Sequence, residues 1–220
     1  MGLPVILDLA GRRCVVVGGG RVAERKIAAL MPSGADLLVV APEVTARIRS
    51  LAGRRRLGWR RTDYHPSCLR KASLAYAATS DPATNSRVAR DARRLGLFVN
   101  VADDPGLCTL VMPAILRRGD LLVTVSTSGL SPTLARSLRD DLGARIGPEY
   151  GEYLRIVGSV RRRLRLAVVD PRDRARRLRR IPSVALLARL RSGRRREAWR
   201  TAGRAAGLPE GGGTRHGAAS

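Results

Sequence analysis

Short apolar runs alternate with segments of helical periodicity over the first hundred residues. The runs are rich in β-branched residues and end near Gly or Pro, which is typical of strands buried on both faces. They predict strands at residues 14–17, 37–40, 56–61, 73–79 and 97–101, with helices at 21–31, up to about 51, and at 83–95. This alternation indicates an α/β fold in which crossover helices connect the strands of a parallel sheet.

The pattern changes after Pro105. Two strand-like runs, residues 108–112 and 121–127, flank a short AILRRGD segment, and a helix is predicted over residues 132–146. Because this block interrupts the alternation of strands and crossover helices, we expect it to form a small α+β unit of its own.

The remainder of the chain has a helical pattern to about residue 200, with breaks at Asp170-Pro171 and near Pro182. The last residues are rich in Gly and poor in apolar side chains, so we expect them to be disordered. The predicted organisation is a sheet domain, the α+β unit, a helical domain and a tail, at residues 1–112, 113–148, 149–203 and 204–220.

Arginine dominates the charge. The chain has 42 Lys+Arg against 18 Asp+Glu, a net charge of +24, yet Lys26 and Lys71 are its only lysines. Residues 1–150 carry 23 basic and 13 acidic side chains, whereas residues 151–220 carry 19 and 5. A basic C-terminal part of this kind fits either a nucleic-acid-binding surface or solvated arginine-rich helix faces. The seven aromatic residues argue against a single-strand binder built on base stacking.

Three cysteines, an odd number without C-x-x-C spacing, predict neither a disulfide framework nor a zinc site. No apolar run approaches the roughly 20 residues of a membrane span, and the N-terminal residues do not resemble a signal peptide. We therefore expect a soluble, cytoplasmic protein without a membrane partner.

A glycine-rich turn follows the first predicted strand. The string from Gly18 to Ala23 fits G-x-G-x-x-A, in which Gly18 permits the tight turn and Gly20 lets the backbone approach a pyrophosphate. The helix that follows offers free N–H groups to the anion. Its place in the first strand–helix–strand unit favours a Rossmann-like dinucleotide site over an ordinary glycine turn.

One part of that motif is missing. An acidic residue usually ends the second strand and binds the ribose hydroxyls, but Ala41-Pro42 stands there. Glu43 is available as a substitute, while Arg47 would favour a 2′-phosphate. The residues alone leave the choice between NAD and NADP open.

Polar loops follow three further predicted strands. Asp103 and Asp104 come after residues 97–101, where they fit either a general base or a simple Asp-Asp-Pro turn. Thr79 is a candidate cofactor contact or part of a helix cap. A third loop either binds carboxylates through its N–H groups or caps the next helix; it comprises Ser126, Thr127, Ser128 and Gly129.

Together these motifs resemble the precorrin-2 dehydrogenases, a family that includes sirohydrochlorin ferrochelatases and forms the N-terminal part of siroheme synthases. The resemblance covers residues 3–145 in order. It is carried by Leu3-Pro4-Val5, VVVGGGRVAERK, AATSD, NVADDP and MPAILRRGDLLVTVSTSGLSPTLAR.

The resemblance implies NAD-dependent oxidation of precorrin-2, an anionic tetrapyrrole, to sirohydrochlorin, and some members also insert ferrous iron. It further implies a homodimer, with residues 113–148 as the dimerisation unit and the helical domain covering the substrate. The family's essential aspartate falls on Asp103, and its cofactor contacts fall on the glycine turn with Arg21 and Val22, and on Pro42 and Glu43.

Two alternatives from other classes remain open on the sequence. An NAD(H)-binding redox sensor would keep the glycine turn without needing Asp103, and an arginine-rich nucleic-acid-binding protein would explain the charge without needing either.

Overall fold

The computed structural model describes residues 2–209, which divide into two compact units, residues 2–112 and 113–209. The first unit contains a five-stranded parallel sheet of order β3-β2-β1-β4-β5. Its strands are β1 Arg13–Val17, β2 Asp36–Val40, β3 Gly58–Arg60, β4 Ala72–Ala77 and β5 Phe98–Val101. Its helices are α1 Arg21–Leu30, α2 Ala46–Gly53 and α3 Pro82–Arg94. The predicted α/β fold with crossover helices is confirmed.

Helices cover both faces of this sheet. Val16 and Tyr76 face α1 and α2, where Ile27 and Ile48 are fully buried. The alternate residues of the strands face α3 in a second core, which also includes Leu69 from the short 3₁₀ helix before β4. Burial on both faces explains why β1 is a continuous apolar run rather than an alternating one.

The second unit begins with a small antiparallel sheet and continues as helices. A hairpin joins β6 Ala114–Arg118 to β7 Leu121–Val125 through Gly119-Asp120. The helices are α4 Pro132–Arg145, α5 Glu149–Ala167, α6 Pro171–Arg179, α7 Ser183–Arg191 and α8 Arg195–Ala205. Within residues 2–209, no helix is both long and apolar enough to cross a membrane.

One predicted strand is wrong. Residues 108–112 form no strand; instead, the segment returns beside β5, where the N–H groups of Thr109 and Leu110 donate to the Val99 carbonyl. The strand lies in the segment predicted as a connection, because the two-residue turn Gly119-Asp120 sets its pairing with β7. Arg118 belongs in this strand because its guanidinium donates to the carbonyls of Gly143 and Ile146.

The predicted start of the tail at residue 204 also differs from the structure. Helix α8 continues to Ala205, and Leu208 is buried in a third core with Ile156 and Leu186. This apolar packing keeps the segment to residue 209 within the helical part. Residues 210–220, the rest of the predicted tail, lie outside the described residues.

Candidate functional site

A cavity of about 680 Å³ lies at the carboxyl edge of the parallel sheet, where β1, β2 and β4 end. In open α/β sheets, ligands bind at this edge. Five of the predicted cofactor contacts line the cavity: Gly18, Gly20, Pro42, Glu43 and Thr79. Arg21 and Val22 form the first turn of α1 directly after the lining residue Gly20.

The three glycines of the turn have different surroundings. A Cβ on Gly18 would lie 2.3 Å from the carbonyl oxygen of Ala78, and its φ of +119° is strained for other residues. A Cβ on Gly19 would lie 1.9 Å from the carbonyl oxygen of Glu43, whereas Gly20 has nothing within 4 Å. Gly18 and Gly19 therefore pack the strand ends together, and Gly20 leaves its backbone accessible to a ligand.

The N-terminus of α1 has no side-chain cap. Thr45, Asp81 and Ser131 accept N–H groups at the starts of α2, α3 and α4, but at the start of α1 Gly20 has no side chain to do so. The first N–H groups of α1 are thus open to an anion, and the helix dipole favours a negative charge there. This arrangement fits a pyrophosphate.

The part of the cavity beside the ends of β2 and β3 carries carboxylates. Glu43 and Asp63 both line it, while Arg47 lies in an ion pair with Glu24 at 3.4 Å. Thr45 also donates to Glu24, at 2.9 Å, which places that carboxylate against the start of α2. Arg47, the arginine that would favour a 2′-phosphate, is therefore not among the residues that line the cavity, whereas two carboxylates are.

Thr79 is fixed by a buried amide. The Asn85 side chain accepts the Thr79 N–H at 3.1 Å and donates to the Thr79 carbonyl, also at 3.1 Å. Asp81 accepts the N–H groups of Ala83 and Thr84, and these bonds and the Thr84 hydroxyl hold the Asp81 pKa below its ordinary value. Asp81 caps α3 and Thr79 lines the cavity, so a cofactor contact of Thr79 stays a prediction.

The two adjacent aspartates after β5 differ. Asp104 caps a short 3₁₀ helix by accepting the Leu107 N–H at 3.3 Å, which is ordinary turn chemistry. Asp103 is exposed, has a left-handed backbone with φ of +61°, and accepts no hydrogen bond from any residue in 2–209. Non-glycine residues in that region cost roughly 1 kcal/mol or more, and such strain is common at functional sites. Asp103 is therefore an exposed carboxylate at the same sheet edge, where it does not line the cavity itself.

The loop after β7 belongs to the second unit. Ser126 accepts the Ser128 N–H at 3.2 Å, and Thr127 accepts the Ser131 N–H at 3.1 Å. Ser128 and Gly129 both have positive φ, 54° and 83°. The capping of α4 is done by Ser131, which accepts the Leu134 N–H. Substrate binding by residues 126–129 stays a prediction.

Several lining residues were missed from the sequence. They come from the segment after β3 and from the first two turns of α3: Thr62, Asp63, Tyr64, Thr84 and Arg87. No motif marks Thr62, Asp63 and Tyr64, because a three-residue edge strand and the loop after it bring them to the sheet edge. The sequence could still have indicated the segment after β3, because the carboxyl ends of parallel strands meet at one edge of the sheet.

Comparison with known proteins agrees with this geometry. The model of a family described as "Putative NAD(P)-binding" matches residues 5–114, half of the chain. The chain belongs to this NAD(P)-binding family. The predicted cofactor class, a nicotinamide dinucleotide, is thereby confirmed for the first unit.

More particular relatives carry the name siroheme synthase. The protein of Nitrosospira multiformis is 40% identical over 178 residues, which are 79% of this chain and 38% of that protein. The protein of Methylococcus capsulatus is 41% identical over 172 residues, 78% of this chain and 36% of its own length. The chain thus spans under two-fifths of these relatives.

A solved structure has nearly the same extent as this chain. SirC, precorrin-2 dehydrogenase, superposes with a TM-score of 0.75 at 27% identity, over 92% of this chain and all of that one. The predicted resemblance and the predicted fold class, an α/β sheet followed by a small α+β part and helices, are confirmed.

Proposed function

We propose that this protein oxidises precorrin-2 to sirohydrochlorin with NAD as the hydride acceptor. One observation carries the proposal: the edge that holds the open glycine turn also holds Asp103, an exposed carboxylate without a hydrogen-bond partner in residues 2–209. The family match and the similarity to a precorrin-2 dehydrogenase support the choice of reaction.

The cavity fits NAD. The open N–H groups of α1 and the accessible backbone of Gly20 would hold the pyrophosphate, and Glu43 and Asp63 would bind the ribose hydroxyls. Because Glu43 and Asp63 line the cavity and Arg47 does not, the site favours NAD over NADP. When bound, NAD supplies a carbon that accepts hydride.

Asp103 would act as the general base. Removal of two hydrogens from precorrin-2 releases one hydride and one proton, and a carboxylate oxygen of Asp103 would take the proton. Its neighbour Asp104 is occupied by the Leu107 N–H, so the two carboxylates have separate roles. Strands in a sheet lie about 4.8 Å apart, and β5 is two strands from β1, so Asp103 lies roughly 10 Å across the edge from the glycine turn.

The substrate's carboxylates would be bound by guanidinium and backbone N–H groups. Arginine binds carboxylates through two parallel hydrogen bonds, and the chain has 40 arginines. The loop of Ser126, Thr127, Ser128 and Gly129 offers backbone N–H groups in its left-handed segment.

We further propose a homodimer formed through residues 113–148. In this segment only Leu116 and Ala135 are buried, and its sheet has two strands. A two-stranded sheet is marginally stable without further packing. Leu134 and Leu138 lie one turn apart on α4 and are 51% and 42% exposed, so a second copy of the chain would cover apolar surface there.

Ferrous iron would enter as a second substrate, as in some precorrin-2 dehydrogenases. Within residues 2–209 no group of three or more His, Cys, Asp or Glu side chains is placed to hold a metal ion. Insertion is therefore tested as a separate step.

We also propose a cytoplasmic location. Three unpaired cysteines, Cys14, Cys68 and Cys108, support it.

The test is turnover of precorrin-2 with NAD, followed by absorbance, in the wild type, Asp103→Asn and Asp104→Asn. Asn keeps the size and tolerates the left-handed backbone, so Asp103→Asn removes only the base. We expect it to lower kcat by roughly 100-fold or more, while Asp104→Asn stays near wild type because its amide oxygen still accepts the Leu107 N–H.

Near wild-type kcat in Asp103→Asn would remove this residue from the mechanism. NADH binding without any turnover by the wild type would favour the redox sensor and refute the dehydrogenase. A parallel reaction with ferrous ion distinguishes sirohydrochlorin from its iron complex by its spectrum.

A further inference from the structure

Lys26 is chemically exceptional in this chain, where 40 of the 42 Lys and Arg side chains are arginines. It lies on α1, and its half-buried side chain crosses the face of the sheet below the proposed site. Its ammonium stands 5.4 Å from the centre of the Tyr76 ring on β4 and donates to the Asn100 side-chain oxygen on β5, at 2.8 Å. Tyr76 and Asn100 are directly paired in the sheet.

The surroundings explain why this cation is a lysine. The ammonium is a compact charge on a thin stem, and it donates a hydrogen bond to one acceptor, Asn100 Oδ1. A guanidinium is planar and carries five donors, which would need more acceptors than Asn100 Oδ1 supplies.

Asn100 connects Lys26 to the loop that carries Asp103. Its amide nitrogen donates to the Leu110 carbonyl at 2.9 Å, which ties the end of β5 to the returning segment. Beside it, the Val101 N–H donates to the Cys108 sulfur at 3.2 Å. Residues 101–107, including Asp103, are thus closed into a loop whose two ends meet at Asn100.

Lys26 also interacts electrostatically with residues of this loop. Burial lowers the pKa of Lys26 most, Cys108 and Asp103 raise it, and Arg25 lowers it further. The Asp103 carboxylate therefore lies within the electrostatic range of the Lys26 ammonium.

We propose that Lys26 is a positioning residue: by holding Asn100, it fixes the loop that presents Asp103 to the substrate. The inference rests on the proposed dehydrogenation and assigns to α1 a second role beside pyrophosphate binding. Lys26 does not line the cavity and its ammonium donates to Asn100, so the proposed effect on the reaction passes chiefly through Asn100 and the loop, with its charge acting on Asp103 as a smaller part.

The test compares Lys26→Met, which keeps the length and apolar stem, with Lys26→Arg and with the control Lys71→Met at the exposed second lysine. We expect Lys26→Met to lower kcat by about 10- to 100-fold with KM for NAD unchanged, since a small displacement of a catalytic group has effects of this size. Lys26→Arg should stay close to Lys26→Met, and Lys71→Met close to wild type.

Two further readouts separate positioning from general damage. Hydrogen–deuterium exchange of residues 101–107 should rise in Lys26→Met while the exchange of β1 and the binding of NADH stay unchanged. Because Lys26 acts through Asn100, adding Lys26→Met to Asn100→Ala should change kcat by less than about twofold.

Wild-type kcat with unchanged loop exchange in Lys26→Met would overturn the proposal, as would a raised KM for NAD at constant kcat. Full recovery of kcat in Lys26→Arg would overturn the argument that an ammonium, and not a guanidinium, is needed beside Asn100. Absence of turnover in the wild type refutes the dehydrogenase function instead, and the loop exchange then decides the role of Lys26 by itself.

Discussion

Gly19 and Gly20 are neighbours in one turn, yet the space around their α-carbons is opposite. Gly19 is pressed against the backbone of Glu43, and Gly20 faces open space at the edge of the cavity. The G-x-G-x-x-A pattern identifies Gly18 and Gly20 as the required glycines and leaves Gly19 free to vary. The structure adds Gly19, because the segment after β2 passes too close for any side chain.

We expect Gly19→Ala to destabilise the first unit by about 3 kcal/mol, since its Cβ would overlap a backbone oxygen. Gly20→Ala should leave stability nearly unchanged, because its φ of −83° suits alanine, and should weaken NADH binding by roughly tenfold through contact with the pyrophosphate. Thermal unfolding and NADH fluorescence titration measure the two effects. Equal behaviour of the two variants in both measurements would contradict this division.

The site as a whole also contains residues that the sequence pattern identifies and residues that it does not. The glycine turn, Thr79 and Glu43 could be predicted because each follows an apolar strand, and parallel strands end at one edge. Asp63 and Asn85 could not, because a short edge strand places the first, and the second is a polar residue buried in α3 that bonds to the Thr79 backbone. The separate roles of Asp103 and Asp104 depend on one backbone angle and one N–H group, which the pattern Asp-Asp-Pro does not specify.

Among the elements, the buried parallel strands could be predicted almost completely, because a short β-branched run bounded by Gly or Pro is typical of a buried strand. Strand β6 could not, because Arg117 and Arg118 make its sequence polar. Its conformation depends on the turn at Gly119 and on carbonyls of α4 and the following residues that receive Arg118. Gly119 also rests against Gly151 on α5, a contact between two positions distant in sequence.

An ion pair between α5 and α7 makes the second unit sensitive to acid. The Arg191 guanidinium donates to Glu149 at 2.8 Å and holds the pKa of that carboxyl below its ordinary value of 4.5. A carboxyl with a lowered folded pKa stabilises the protein above its unfolded pKa, and this contribution is lost as the pH falls through the folded pKa.

Glu149→Gln should therefore lower the melting temperature at neutral pH, and the difference from wild type should shrink as the pH falls below the ordinary Glu pKa. Glu197→Gln is the matched control, because its ion pairs with Arg189 and Arg194 are looser, at 3.9 Å. Unfolding scans over a descending pH series measure both. A difference that stays constant with pH would show that Glu149 contributes through packing rather than through charge.

Over the whole molecule, the many arginines have different roles. Some arginines are structural, such as Arg118 within the hairpin and Arg174, which donates to the carbonyls of Val168 and Val169. Others pair with acids along one helix, as Arg176 and Arg177 do with Asp173. Such pairs at exposed positions contribute little to stability. Since 18 Asp and Glu cannot neutralise 42 Lys and Arg, the remaining charge is left for solvent or for the proposed anionic substrate.

The proposed dimer rests on how few side chains residues 113–148 bury on their own. If a second copy covers α4, the protein should behave as a dimer in light scattering, and Leu134→Glu with Leu138→Glu should yield a monomer. Two carboxylates would then have to enter an apolar contact without partners. The control is Leu166→Glu, since Leu166 on α5 is 90% exposed and lies outside this segment.

Dimer formation by the control and monomer formation by the double variant would locate the interface on α4 rather than on exposed leucines in general. A wild type that stays monomeric at micromolar concentration would refute the dimer, and a double variant that still dimerises would move the interface off α4. NADH titration of the monomeric variant adds a further check. The cavity is formed wholly by residues 17–87 of the first unit, so its affinity should equal that of the wild type even where turnover is lost.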